Sequence, residues 1–408
     1  MKILHTADWH LGKRLEQFER TTEHQMFLNW LLDFIHTNSI DVLLVAGDIF
    51  DSGNPSNEAL KLYYDFLLKI KNTSCKCVII IGGNHDSVST LNAPKTLLQY
   101  LNIHVIGGVP ENSEEQIIPV YNSNHEVELV VVAVPFLRDR DIRLSVSGES
   151  TEEREARIKQ GISSHYQNLA QYILPYKEKH IPVIGSGHLY AAGAEPSDSE
   201  KEIHVGSLGQ IAASQFPKEF DYIALGHLHR PQLVNKLQHI RYSGSPIALS
   251  FSENEDIKQV LVIETEQGKE LQINKHEIPV FRKLIRLKGN LNELKDKITK
   301  INEINSELPA WLELQLITDK FEVNVQEEIG SILSNKPFIE EFFLRQIRNT
   351  PVKSLSEQVD KAFELADLNP RSVFVKKCET MNVDEVTAKE LLETFDLAIN
   401  MMEGEKHS

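Results

Sequence analysis

Cysteine is scarce in this chain: three thiols in 408 residues cannot build a disulfide framework, and the usage fits a reducing compartment. Cys75 and Cys77 stand two apart at what reads as the start of a buried strand, and Cys378 is alone. Long apolar runs are missing too; none approaches the roughly 20 residues that a membrane-spanning helix needs. The opening residues Met1-Lys2-Ile3-Leu4-His5 enter a strand directly, without the apolar stretch and small-residue cleavage site of a secretory signal. The expected location is the cytoplasm, with no membrane partner. No Gly-x-x-x-x-Gly-Lys-[Ser/Thr] loop occurs, which excludes a P-loop nucleotide hydrolase. Positive charge is in deficit: 43 Lys and Arg against 59 Asp and Glu leave a net charge of −16. Such a balance disfavours a surface that tracks phosphates, although carboxylates that hold metal ions would reverse the field locally.

What is present is an alternation of apolar strands and amphipathic helices. Residues 2–7, 42–46 and 78–81 are continuous apolar runs, separated by helical spacing over 26–35 and 58–70. Continuous apolar strands between helices read as a sheet covered on both faces. Further strands are expected at 116–120, 127–134, 181–184, 222–225, 239–242, 259–264 and 271–276. A polar helix over 152–176 is expected to be broken around Gly161. The pattern predicts an α/β (α+β) fold in which two sheets pack together with helices outside. Around Pro279 the order changes to β-α-β-α-β, a small α+β domain; from about Pro351 the chain is helical and polar. At roughly 100–200 residues per domain the length suits this division: 1–278, 279–350 and 351–408.

Five short polar clusters each follow a predicted strand: Asp8-Trp9-His10, Gly47-Asp48, Gly83-Asn84-His85-Asp86, Gly187-His188 and Gly226-His227-Leu228-His229. Ligands collect at the carboxyl edge of such strands, and glycine before a polar residue lets the backbone turn sharply toward an ion. Alone, each motif is a common turn or cap; their joint occurrence, in order, is not. The mixture of carboxylate, amide and imidazole suits Mn²⁺, Fe or Zn²⁺, and the lack of thiolate argues against a structural zinc. So many ligands exceed one tetrahedral ion and fit two divalent ions sharing a carboxylate. His5, His24, His36, His104, His125 and His239 lack this context.

These residues carry a resemblance. The order Asp-x-His, Gly-Asp-x-x-Asp, Gly-Asn-His-Asp, Gly-His, Gly-His-x-His resembles the calcineurin-like metallophosphoesterases. Residues 6–12 (Thr-Ala-Asp-Trp-His-Leu-Gly), 46–51, 226–232 and Tyr242-Ser243-Gly244-Ser245-Pro246 are similar to the bacterial SbcD-type nucleases, counterparts of the Mre-type repair nucleases. The resemblance implies that Asp8, His10 and His229 hold one ion, that Asn84, His188 and His227 hold the other, and that Asp48 bridges them, with Mn²⁺ the expected metal. It implies that His85 acts on the scissile phosphate, with Asp86 as its orienting partner. Some relatives carry a second active-site histidine where this chain has Asp51. The implied activity is hydrolysis of DNA phosphodiesters in repair and recombination, at duplex ends and within single strands or hairpins. The implied assembly is a homodimer within a heterotetramer with an SbcC-type coiled-coil ATPase, which would supply any ATP dependence. Two rivals stay open: a phosphoesterase of this fold acting on nucleotides or phosphoproteins, and a scaffold that has lost its metals.

Two further features have two readings each. Arg282, Lys283, Arg286, Lys288, Lys295, Lys297 and Lys300 form a basic run that is either a solvated surface or an edge contacting phosphate; Lys13 and Arg14, just after His10, are better placed to touch substrate. Ala388, Leu392, Phe395, Ile399 and Met402 recur at helical spacing, a seam that either packs on its own domain or docks the ATPase.

Overall fold

Aliphatic and β-branched runs form strands β1 (Lys2–Thr6), β4 (Val42–Ala46) and β5 (Cys77–Ile81), with β2 (Arg14–Leu15) and β3 (Phe18–Glu19) pairing as a short hairpin between the first two. The computed structural model describes residues 1–142, 150–195, 211–319, 322 and 324–348, and beyond them 371, 374–375, 378, 388–389 and 391–396. The remaining strands are β6 (Ile103–Ile106), β7 (Ile117–Tyr121), β8 (Val127–Val132), β9 (Val183–His188), β10 (Tyr222–Gly226), β11 (Gln232–Leu233), β12 (Ile240–Tyr242), β13 (Gln259–Glu264), β14 (Gln272–Glu277), β15 (Arg282–Gly289), β16 (Leu308–Thr318) and β17 (Ile339–Arg348). Two six-stranded sheets result, in the orders β14-β13-β1-β4-β5-β6 and β11-β12-β10-β9-β8-β7.

Side chains alternate along each strand and so build separate cores. Ile3, Val42, Leu44 and Ile79 face Leu129, Val131, Ile184 and Tyr222 in the space between the sheets. Leu4, Leu43, Val45 and Ile80 face outward onto Phe27, Leu31 and Phe66 of helices Thr21–Thr37 and Asn57–Lys69. Helix Thr151–Glu178 covers the outer face of the second sheet through Ile158, Ile162, Tyr166 and Leu169. This is the two-sheet arrangement with flanking helices that the sequence predicts. The expected break at Gly161 does not occur. The helix runs through it from a Ser150–Glu153 capping box, and the missing side chain makes room: a Cβ there would lie 2.4 Å from the Ile142 carbonyl oxygen.

β1, β4, β5 and β6 run parallel, as do β8, β9, β10 and β12. Strands that carry the polar clusters therefore end at common edges, and those two edges meet. Downstream, β15, β16 and β17 form a three-stranded sheet whose helices Leu291–Thr299 and Val325–Leu333 close a core of Leu294, Ile298, Leu312, Leu314 and Ile329. The chain divides into two compact units, Met1–Ile347 and Arg348–Ser408. The small sheet thus belongs to the same unit as the two large ones. In the second unit Phe395 stacks on Phe374 with ring centroids 4.3 Å apart, and Arg371 pairs with Asp396 at 2.9 Å. Part of the C-terminal seam is spent on its own unit; Ile399 and Met402 lie outside the described residues. No helix among the described residues is long and apolar enough to cross a membrane.

Candidate metal centre

The loops after β1 and β4 continue side by side past their strands: Asp8 N–H donates to Gly47 O at 3.0 Å and His10 N–H to Asp48 O at 3.0 Å. Holding them so requires left-handed backbone at Asp8 (φ 53°), His10 (φ 46°) and Asp48 (φ 48°), and a positive φ recurs at His227 (107°). Non-glycine residues rarely adopt such angles, which cluster where surrounding structure imposes them at functional sites. Gly47 (φ 91°) and Gly83 allow the crowding. A Cβ at Gly47 would lie 2.2 Å from His188 Nδ1, and one at Gly83 2.1 Å from Asp48 Oδ1.

The side chains converge. Asp48 Oδ2 lies 3.3 Å from His188 Nε2 and 3.5 Å from His10 Nε2, while Asp48 Oδ1 accepts from the His85 backbone N–H at 2.9 Å. Asn84 Oδ1 is 2.9 Å from His188 Nε2 and 3.0 Å from His227 Nδ1. Asp8 Oδ1 accepts from His227 N–H at 2.8 Å. The His10 and His229 rings meet edge to face, 5.0 Å between centroids. Asp8, His10, Asp48, His188, His227 and His229 are all buried.

Burial pushes the Asp8 carboxyl up to about 7, against the pull of His188 and His229, and holds the His10 imidazole down at about 4. Burial alone would raise Asp48, but His188 and His10 beside it hold it well below the usual carboxylate range. Burial would likewise lower His188, but Asp48 outweighs it and lifts the imidazole to about 9. Positive charge is thus stabilised at Asp48, and a cation there would displace the His188 proton. Asp8 Oδ2 and His10 Nε2 are buried without a hydrogen-bond partner, a costly state for polar atoms that an ion would relieve. Asp8, His10 and Asp48 could hold one ion, and Asp48, His188 and His227 another. The donor set fits divalent metals.

Comparison with known proteins agrees with this architecture. The calcineurin-like phosphoesterase family model matches residues 1–231. The type 5 capsule protein repressor C-terminal domain model matches residues 280–382. The SbcD polypeptide of the Escherichia coli (strain K12) nuclease SbcCD is 33% identical over 406 residues, 99% of each chain. The chain belongs to the SbcD family of calcineurin-like phosphoesterases. The SbcD polypeptide of the Bacillus subtilis (strain 168) nuclease SbcCD is 32% identical over 322 residues, 78% of this chain and 79% of that one. As an SbcD-family member the chain is a metal-dependent phosphoester hydrolase.

Within this SbcD-family site, one expected contact is corrected. Asp86 does not orient His85. Its carboxylate accepts from the backbone N–H groups of Gly83 (2.8 Å), Phe50 (3.0 Å) and Ile49 (3.1 Å) and so ties the loop after β4 to the loop after β5. His85 Nδ1 instead lies 2.8 Å from the Asp51 carbonyl oxygen, leaving a buried Nε2 without a partner. Asp51 also receives His10 Nδ1 at 3.1 Å on its carboxylate and pairs with Lys13 Nζ at 3.1 Å. One residue therefore orients two histidines. The spacing Gly47-Asp48-x-x-Asp51 was the available signal, but its side-chain and backbone contacts depend on the fold.

Lys13 sits beside the cluster with its side chain 29% exposed, while Arg14 turns onto its own hairpin at Gln17 O, 2.6 Å. The start of the basic run is spent internally. Arg282 pairs with Glu23 (3.3 Å) and with Glu340, its guanidinium 4.5 Å from the Trp311 ring centroid. Lys283 donates to Asn254 O at 3.2 Å, and Arg286 pairs with buried Glu313. Arg282 and Lys283 thus tie the small sheet to the first helix and to the Asn254 loop, while Arg286 joins two strands within that sheet.

Proposed function

We propose that this enzyme hydrolyses DNA phosphodiester bonds with two divalent ions, Mn²⁺ in preference. Asp8, His10 and His229 would hold one ion, Asn84, His188 and His227 the other, and Asp48 both. When bound, the ions supply Lewis acidity, lowering the pKa of water and neutralising charge on the phosphate. The protein does the rest by position. The Asp51 carbonyl oxygen fixes a proton on His85 Nδ1, so a protonated His85 offers its second proton from Nε2 to the departing sugar oxygen. The His85 backbone N–H on Asp48 Oδ1 ties that acid to the shared carboxylate. Lys13, held by Asp51 at the rim, would contact a phosphate oxygen.

One observation carries this reading above all: Asp8 Oδ2 and His10 Nε2, buried and without a hydrogen bond, lie among the converging donors of a chain related over its whole length to the SbcD polypeptide of a nuclease. That relative is named as one subunit of a complex. We extend this to a cytoplasmic assembly in which a homodimer of this chain joins an SbcC-type coiled-coil ATPase through residues 351–408, acting as an exonuclease on duplex ends and an endonuclease on single strands and hairpins. Incubating the purified chain with Mn²⁺, a labelled DNA hairpin and a panel of nucleotide phosphoesters tests it. Cleavage of the hairpin that chelation stops supports the reading; turnover confined to the nucleotides overturns it.

A further inference from the structure

Three site histidines have an oxygen beside Nδ1, and in two of them, His10 and His188, Nε2 faces the Asp48 carboxylate. For His10 that oxygen is Asp51 Oδ1 at 3.1 Å, and for His188 it is Ala46 O at 2.9 Å. For His229 it is Oε1 of Glu253, 3.6 Å from Nδ1. Glu253 belongs to none of the motifs that mark the site, yet it is only 1% exposed. Its other oxygen is 2.6 Å from Lys258 Nζ. Lys258, also buried, donates to His229 O at 3.0 Å and to Ser245 Oγ at 2.9 Å. Ser245 N–H donates to the same His229 carbonyl at 3.1 Å. Gly244, at φ 76°, lets the turn pass so close that a Cβ would lie 2.7 Å from His229 O.

We propose that Glu253, Lys258 and the turn Ser243-Gly244-Ser245 form a buried cradle that positions His229, holding its carbonyl and its Nδ1 edge so that Nε2 is presented to the ion. The inference rests on the metal-centre reading above. It gives the motif Tyr242-Ser243-Gly244-Ser245-Pro246, which supplies no ligand, a task. It also accounts for a buried ion pair, which as a stability device is often no better than apolar side chains of similar size. Partners behind a metal-binding histidine fix its tautomer and orientation, and losing them typically costs 10–100-fold in metal affinity.

The test uses the full chain with ¹⁵N-labelled histidine, the His229 signals being assigned with His229→Asn. Two variants are compared: Glu253→Gln, and the double variant Glu253→Leu with Lys258→Met, which removes both charges together. Imidazole nitrogen shifts of the metal-free protein read the tautomer, and calorimetry with Mn²⁺ reads each site. The parent should hold His229 as the Nδ1–H form. Both variants should lose that single form and bind one of two Mn²⁺ ions about 10–100-fold more weakly. If Glu253→Gln fails to fold because Lys258 is left unpaired, the double variant decides alone. A double variant with the parent's tautomer and both parental affinities overturns the cradle. A parent that binds no Mn²⁺ overturns the metal centre instead, and the metal-free tautomer still judges the cradle.

Discussion

His85 is the residue whose role separates substrate chemistry from metal binding. Its Nδ1 is fixed on the Asp51 carbonyl oxygen and its Nε2 is buried and unpartnered, so His85→Gln keeps a polar group of similar reach but removes the acidic proton. Turnover on DNA should fall by about 10²–10⁴-fold, with Mn²⁺ affinity by calorimetry unchanged. A nitrophenyl phosphodiester, whose leaving group needs less protonation, should be partly spared; loss of metal in this variant would make His85 a ligand. Asp86 separates the other way. Its carboxylate satisfies three buried backbone N–H groups, each of which costs about 1–3 kcal/mol when orphaned. Asp86→Ala should therefore lower stability by several kcal/mol in urea unfolding and weaken Mn²⁺ binding with it. Full stability in that variant would return Asp86 to the chemistry. The aspartates and histidines were legible because each closes an apolar strand. The roles of Asp51, Asp86 and Glu253 were not, because the atoms they meet come from other loops and, for His85, from a backbone carbonyl that no side-chain pattern encodes.

At the scale of elements, strands and helices followed from apolar periodicity, but their ends did not: the helix expected over 26–35 spans Thr21–Thr37, and the strand expected over 181–184 runs Val183–His188. The misread helix at Gly161 shows the limit: glycine there answers a close approach by Ile142. The basic run shows another. Its charges were visible, but Glu23, Glu313 and Glu340, which neutralise Arg282 and Arg286, arrive from the first helix, β16 and β17. Arg20 and Arg282 flank Trp311 at 5.5 and 4.5 Å, so this seam joins the small sheet to the helix Thr21–Thr37. Arg282→Ala should lower stability by roughly 2–4 kcal/mol through lost ion pairing and cation–π contact. It should leave the slope of log K against log salt for DNA binding unaltered; a flatter slope at unchanged stability would restore the phosphate-contact reading. Deleting residues 380–408 tests the C-terminal element. Basal cleavage should persist while co-purification with the ATPase is lost, and a truncated chain that unfolds would assign the helix to its own unit's core.

For the whole molecule, two sheets place parallel strand ends at one shared edge, and the site is a consequence of that topology. β1, β4 and β5 deliver Asp8, His10, Asp48 and Asn84 from one side, while β9 and β10 deliver His188, His227 and His229 from the other. The acidic net charge of −16 is compatible with a phosphate substrate because cations held by the carboxylates at that edge would reverse the local field. Asp48 is where the two halves meet, since its oxygens face His10, His188 and the backbone of His85 at once. Calorimetry of Mn²⁺ binding to Asp48→Asn, on protein shown by circular dichroism to be folded, is the most direct test of a centre in which one carboxylate serves both ions. Affinity should fall at both ions together, and hairpin cleavage should disappear. Two Mn²⁺ ions bound with the parent's affinities would contradict the shared centre.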